Sequence, residues 1–155
     1  MDNINVIRVG FFTPEFKIAD TDGEIGEPID RSGQYYTCLV FINPDDDGAD
    51  LINMLESGLP KISTGLEVKL AAIVPAKPRI GKAFRQKAGF NTRLFCDSDL
   101  RAGKTFSVVD SASAKPAYHP VIFVIGEEGT VRHRQAYDTK EFNAEAFRTS
   151  ISQLI

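Results

Sequence analysis

The chain has 155 residues, 43% of them hydrophobic and 25% charged, with a formal net charge of −3 and a pI near 5.4. That size suits a single domain over residues 1–155 with a core large enough to need no disulfide or metal, and the acidic balance argues against nucleic acid or an anionic membrane as partner. No apolar run approaches the ~18 residues of a membrane span, and Met1-Asp2-Asn3-Ile4-Asn5 lacks the basic and apolar regions of a signal peptide, so the expected location is the cytoplasm.

In chain order, Lys17 to Glu24 reads as two extended pieces around the turn Asp22-Gly23, and Arg31 to Gln34 as a second turn. Tyr36 to Ile42 is a continuous apolar, β-rich run, the pattern of a strand covered on both faces. Asn43-Pro44-Asp45-Asp46-Asp47-Gly48 breaks it, and an amphipathic helix is predicted from Ala49 to Ser57. A strand over Leu66 to Val74 is followed by a helix over Ile80 to Ala88, with Gly89 closing it. Next come a short strand, Arg93 to Cys96, and a short helix, Leu100 to Thr105. Ala112 to Pro120 reads as a loop, Val121 to Ile125 as a strand, and Gly126 to Gly129 as a turn into a last strand, Thr130 to Arg134. The closing helix is expected over Lys140 to Ile155, where Phe142, Phe147, Ile151 and Leu154 recur at helical spacing. Alternation of this kind specifies an α/β fold, and a βαβ unit followed by an antiparallel hairpin and a helix is the thioredoxin topology.

Several segments are similar to one family in consistent order. These are Thr13-Pro14-Glu15-Phe16-Lys17-Ile18 with Asp20 to Gly23, the strand Leu39 to Ile42 with Asn43-Pro44, Phe84 to Asp97, and Pro120 to Ile125 with Gly129. Together they resemble the alkyl hydroperoxide reductase and thiol-specific antioxidant family, the peroxiredoxins and their thiol-disulfide oxidoreductase relatives. The resemblance implies a thioredoxin-like fold, a mixed central sheet flanked by helices with an added N-terminal hairpin.

The family's P-x-x-x-T-x-x-C motif is where the chain departs. Counted from Pro44, the Thr position is Gly48 and the Cys position is Leu51; a C-x-x-C pair is missing as well. A peroxidatic thiolate needs a helix N-terminus and neighbouring donors to activate it, and Leu51 has no lone pair to attack with. The resulting expectation is a non-catalytic binding or regulatory module without a cofactor. The alternative is a divergent thiol peroxidase or oxidoreductase using Cys96, the one thiol predicted at a strand end. Asp97 and Asp99 beside it would raise its pKa. Cys38 lies inside the most apolar strand and reads as core.

The loop that replaces the redox motif carries Asp45, Asp46 and Asp47, with Asp50 one turn on. Such carboxylates cap a helix N-terminus or ligate a hard cation; the calcium-loop spacing and its terminal Glu are missing. His119-Pro120 resembles the cis-proline step of thioredoxin-like folds, which implies that it faces this acidic loop and offers its backbone to a protein or peptide partner. Pro44, Asp45, Asp46, Asp47, His119 and Pro120 are therefore the candidate binding residues, with a homodimer face flanked by Phe11, Phe12 and Tyr118 as a second expectation. Two basic groups, Arg132-His133-Arg134 and Arg79, Lys82, Arg85 and Lys87, read as solvated faces. Two isolated His and two isolated Cys give no zinc spacing.

Overall fold

The computed structural model describes residues 7–60, 64–138 and 140–154. Its centre is a five-stranded sheet. The strands, in chain order, are β3 (Tyr35–Phe41), β4 (Glu67–Val74), β5 (Leu94–Cys96), β6 (Val121–Ile125) and β7 (Val131–Ala136), with β1 (Ile18–Ala19) and β2 (Ile25–Gly26) forming a separate hairpin. The sheet order is β5-β4-β3-β6-β7. β3, β4 and β5 run parallel, and β6 and β7 are antiparallel to their neighbours. The helices are α1 (Asp46–Glu56), α2 (Pro78–Ala88), α3 (Arg101–Thr105) and α4 (Ala144–Ser152). This is the mixed, helix-flanked α/β sheet that the sequence implies.

The apolar run of β3 is explained by two cores, one on each face of the sheet. Side chains alternate across a strand, so Tyr36, Cys38 and Val40 join Leu51, Ile52 and Leu55 of α1 and Phe147 and Ile151 of α4 on one side. Leu39 and Phe41 join Phe106, Tyr118 and Phe123 on the other. There the Phe41 ring meets Phe106, Tyr118 and Phe123 at centroid distances of 5.2–5.8 Å, within the range of favourable aromatic pairs.

The turn at Asp22-Gly23 forms as expected. Gly23 takes φ +80°, a region open to glycine at little cost, and the Asp20 carboxylate accepts the Asp22 and Glu24 N–H groups at 2.9 and 3.0 Å. The hairpin is tied to the sheet edge by a bridge between Asp20 and Phe95 and by Arg93 Nε on Asp20 Oδ2 at 3.0 Å.

Three helix boundaries differ from the sequence reading. α1 begins at Asp46, three residues before Ala49, because Asp45 is its N-cap and accepts the Gly48 N–H at 2.9 Å; the aspartates that end the strand pattern also open the helix. α2 begins at Pro78, whose fixed φ and missing N–H suit the first helical position. α4 begins at Ala144, not Lys140, because Asn143 caps it by accepting the Ala146 N–H, with Phe142 held in the preceding turn by Asp138. Ile155, the expected end of that helix, lies outside the described residues.

Candidate functional site

β3 delivers Ile42 and Asn43 to the C-terminal edge of the sheet, and α1 departs from there. Pro44, Asp45, Asp46 and Asp47 are exposed. Gly48 is buried, and a Cβ there would stand 2.3 Å from the Asn43 carbonyl oxygen. Only glycine lets α1 start this close to the end of β3. Leu51, one turn further on, is fully buried in the core beneath the sheet.

Asn43 reaches across to the segment that enters β6. Its Nδ2 donates to the Tyr118 carbonyl at 2.9 Å and its Oδ1 accepts the Tyr118 N–H at 2.8 Å. Tyr118 is itself buried, with its hydroxyl donating to Asp97 Oδ2 at 2.5 Å. The same carboxylate accepts the Ala102 and Gly103 N–H groups, fixing α3. Burial and the Asp97 charge push the Tyr118 phenol far above its ordinary range. Tyr118 is therefore a core residue and cannot flank a dimer face, contrary to expectation.

Two further expectations on this segment are corrected. The His119-Pro120 bond is trans, as are all peptide bonds of the described residues. The trans form is the cheaper one by ~0.5–1 kcal/mol, and it is held here by the Asn43–Tyr118 pair upstream, by His119 N–H on the Val108 carbonyl at 2.7 Å and by Tyr137 N–H on the Pro120 carbonyl at 2.9 Å. His119 does not face the acidic loop. Its ring is 69% exposed and lies 3.7 Å from Asp110.

Pro120 does meet the loop. It shares a pocket of about 380 Å³ with Ile42, Asn43, Asp45, Asp47, Tyr137 and Asp138. The sequence reading missed Tyr137 and Asp138 because it ends the last strand at Arg134, whereas pairing of Val121 with Ala136 carries β7 two residues further. Burial first, and then the charges of Asp47, Asp50 and Asp45, raise the Tyr137 phenol, so it stays a neutral hydroxyl at physiological pH. Among the described residues no group of three or more His, Cys, Asp or Glu could hold a metal ion, so the aspartates do not assemble a cation cage.

Neither cysteine belongs to this pocket. Cys38 is sealed in β3, and burial pushes its thiol up to about 12. Cys96 ends β5 at 4% exposure, with its sulfur lodged against Gly81 of α2, where a Cβ would come within 2.7 Å. Burial, and after it the Asp20 charge, push its thiol up to about 11. Asp20 takes the part expected of Asp97 and Asp99, because the Asp97 carboxylate is turned into α3. Both thiols are free, and β4 separates their strands. Three members of the basic groups are engaged locally: Arg85 caps the Asn91 and Thr92 carbonyls, Lys82 lies 3.7 Å from Asp22, and Arg132 3.4 Å from Glu128.

A hairpin, a β3-α1-β4 unit, an antiparallel β6-β7 pair and a closing helix define the thioredoxin-like fold in its peroxiredoxin form. Solved structures share it across nearly the whole chain. A thiol peroxidase from Chromobacterium violaceum matches with a TM-score of 0.72 at 16% identity, over 94% of this chain and 86% of its own. A PrxQ variant from Xylella fastidiosa matches with 0.74 at 13% identity, over 93% and 94%. The peroxidoxin BcpB from Mycobacterium tuberculosis matches with 0.69 at 14% identity, over 94% of each chain. At these identities the likeness establishes the fold. No protein-family model and no curated protein sequence matches the chain. No helix among the described residues is long and apolar enough to cross a membrane.

Proposed function

We propose that this chain is a recognition domain built on the peroxiredoxin fold, one that has given up thiol peroxidase chemistry. The observation that carries this reading is the state of the two thiols. Peroxide reduction requires an accessible thiolate, whereas Cys38 and Cys96 are buried and held at about 12 and about 11. Gly48 and Leu51, which the family resemblance puts at the Thr and Cys positions, offer no nucleophile. A divergent peroxidase working through Cys96, which lines an opening beside Pro14–Lys17, would have to ionise a thiol that burial and the Asp20 charge hold well above the ordinary range.

The recognition surface is the pocket between the α1 loop, Pro120 and Tyr137. Its partner is a peptide segment bearing a Lys or Arg. Asp45, Asp47 and Asp138 frame the pocket, Asp46 and Asp50 extend the negative field beside it, and clefts lined by one sign of charge concentrate the opposite one. Tyr137 supplies a neutral hydroxyl, and Pro120 with Ile42 an apolar wall for the stem of a long cationic side chain. Free cysteines suit a reducing compartment such as the cytoplasm. Self-association is a second reading, favoured by the exposure of Phe12 and Val9 at 66% and 59%.

The deciding measurement is the second-order rate of thiol oxidation by hydrogen peroxide in wild type, Cys96→Ser and Cys38→Ser, with each thiol read by mass spectrometry. The expected rate is no faster than that of free cysteine. A fast rate abolished only by Cys96→Ser would overturn the non-catalytic reading. Sedimentation showing a monomer at high concentration would remove self-association.

A further inference from the structure

A second opening shares no residue with the acidic pocket. It lies between the extended stretch Pro14–Lys17 and the start of α3, and it encloses about 420 Å³, within the range of small-molecule sites. Its shape follows from how the stretch is anchored. Downstream, β1 is pinned to β5 through Asp20, Phe95 and Arg93. Upstream, Thr13 is fastened to the opposite edge of the sheet, with its N–H and hydroxyl both donating to the Gly129 carbonyl at 2.9 and 2.7 Å. Arg31 holds the Pro14 carbonyl at 2.9 Å. Between these anchors the chain crosses the gap without a paired strand. The N–H groups of Glu15, Phe16 and Lys17 donate to no group among the described residues.

Charge defines what could enter. Phe16 is turned inward onto Phe106 at 5.6 Å, and Glu15 and Lys17, which flank it in sequence, line the opening with it. Both are exposed and neither is in an ion pair among the described residues. Asp99 and Arg101 stand on the facing wall, 3.6 Å apart and largely in water, where such a contact is weak enough to exchange for a ligand. A purely anionic ligand would meet Glu15 and Asp99; a purely cationic one would meet Lys17 and Arg101. A ligand with one ammonium and one carboxylate satisfies both pairs. Glu15 and Lys17 are two residues apart along an extended chain, a rise of about 6.6 Å, and the charged ends of an extended dipeptide are separated by a similar rise.

We propose that this slot binds a zwitterionic dipeptide in extended form. Its main chain lies along Pro14–Lys17 and takes up the Glu15 and Lys17 N–H groups, which share one edge of an extended chain, as in β-strand addition. Its termini pair with Glu15 or Asp99 and with Lys17 or Arg101, and an apolar side chain rests on Ile18 and Ala102.

The test is a titration of the full chain, ¹⁵N-labelled, with glycyl-leucine, followed by amide chemical shifts. Saturable shifts are expected at Glu15, Phe16, Lys17 and Arg101. Acetyl-glycyl-leucine amide, which has no charges, and free leucine, which is too short, should each bind at least about tenfold more weakly. Lys17→Glu and Arg101→Glu, both at exposed positions, should weaken glycyl-leucine by at least about tenfold while leaving the dispersion of the spectrum unchanged. Absence of saturable shifts, equal binding of the capped peptide or of leucine, indifference to both variants, or shifts confined to Asp45–Asp47 would each overturn the proposal. The peroxide measurement is independent of all of these outcomes.

Discussion

The side-chain amide of Asn43 is matched donor to acceptor against the peptide groups of Tyr118, at 2.9 and 2.8 Å, across 75 residues of sequence. It joins the exit of β3 to the entrance of β6, the two segments that frame the acidic pocket. Asn43→Ala should therefore cost about 1–3 kcal/mol, since it strands a partly buried donor and acceptor. It should also speed hydrogen exchange at the Tyr118 amide. Urea denaturation and native-state exchange read the two effects. A variant as stable as wild type would mean that water replaces the amide without loss.

Gly48 sets the distance between α1 and the Asn43 carbonyl. Because a Cβ would come within 2.3 Å of that backbone oxygen, Gly48→Ala should destabilise the protein by about 1–3 kcal/mol through overpacking, even though alanine is the better helix former. Gly48→Thr should cost more. Introducing the Thr and Cys that the resemblance puts at these positions, as Gly48→Thr with Leu51→Cys, should yield a less stable protein whose new thiol is buried, with no gain in peroxide reactivity. Thermal unfolding and the peroxide rate check both parts, and a stable, reactive double variant would show that the helix can re-seat.

How much of the fold is legible in the sequence depends on whether a feature is local. The strands of the sheet, Gly89 at the end of α2 and the Asp22-Gly23 turn follow from period, propensity and turn chemistry, and all form within a residue or two of the expected positions. The capping role of the aspartate run is legible, and Asp45 takes it; only the boundary is late, because Asp46, Asp47 and Gly48 read as strand breakers although they are the first turn of α1. The site is half legible. Asp45, Asp47 and Pro120 do share a pocket, but Tyr137 and Asp138 join it only through the β6-β7 register, and Asn43 only through a contact 75 residues away. For His119 and Tyr118, analogy of position carries no information about which way a side chain turns.

The thiols give a pH signature. With Cys96 at about 11 and Cys38 at about 12, the thiolate fraction of Cys96 at neutral pH is on the order of 10⁻⁴, against about 3% for an ordinary cysteine at 8.5. Alkylation of the native protein by iodoacetamide should be slow, should rise about tenfold per pH unit as long as the fold holds, and should reach Cys96 before Cys38. Gly81→Ser, which pushes an atom onto the Cys96 sulfur, should destabilise the fold and expose the thiol. Mass spectrometry after timed quenching reads both sites. Rapid labelling at pH 7 would mean that Cys96, which lines the opening beside Pro14–Lys17, ionises far more readily than its burial implies.

Acid should act on the hairpin through Asp20. Burial pushes its carboxyl up, but the Asp22 and Glu24 N–H groups and Arg93 outweigh that effect and hold it below the ordinary value of 3.8. Arg93 is half in water, so its share is screened and the two backbone donors contribute most. A carboxylate whose pKa is lower folded than unfolded stabilises the native state fully above the unfolded pKa, and that contribution disappears as the pH falls through the folded value. Asp20→Asn keeps an oxygen for the two N–H groups but presents an amide to Arg93, so it should cost about 1–3 kcal/mol at pH 7. The gap from wild type should stay constant down to about pH 5 and close at lower pH, where wild type loses the same charge. Urea midpoints measured at pH 7 and about pH 3 test this directly. A gap that does not change with pH would mean that the substituted amide fails through geometry, and that the charge of Asp20 contributes nothing to holding the hairpin on β5.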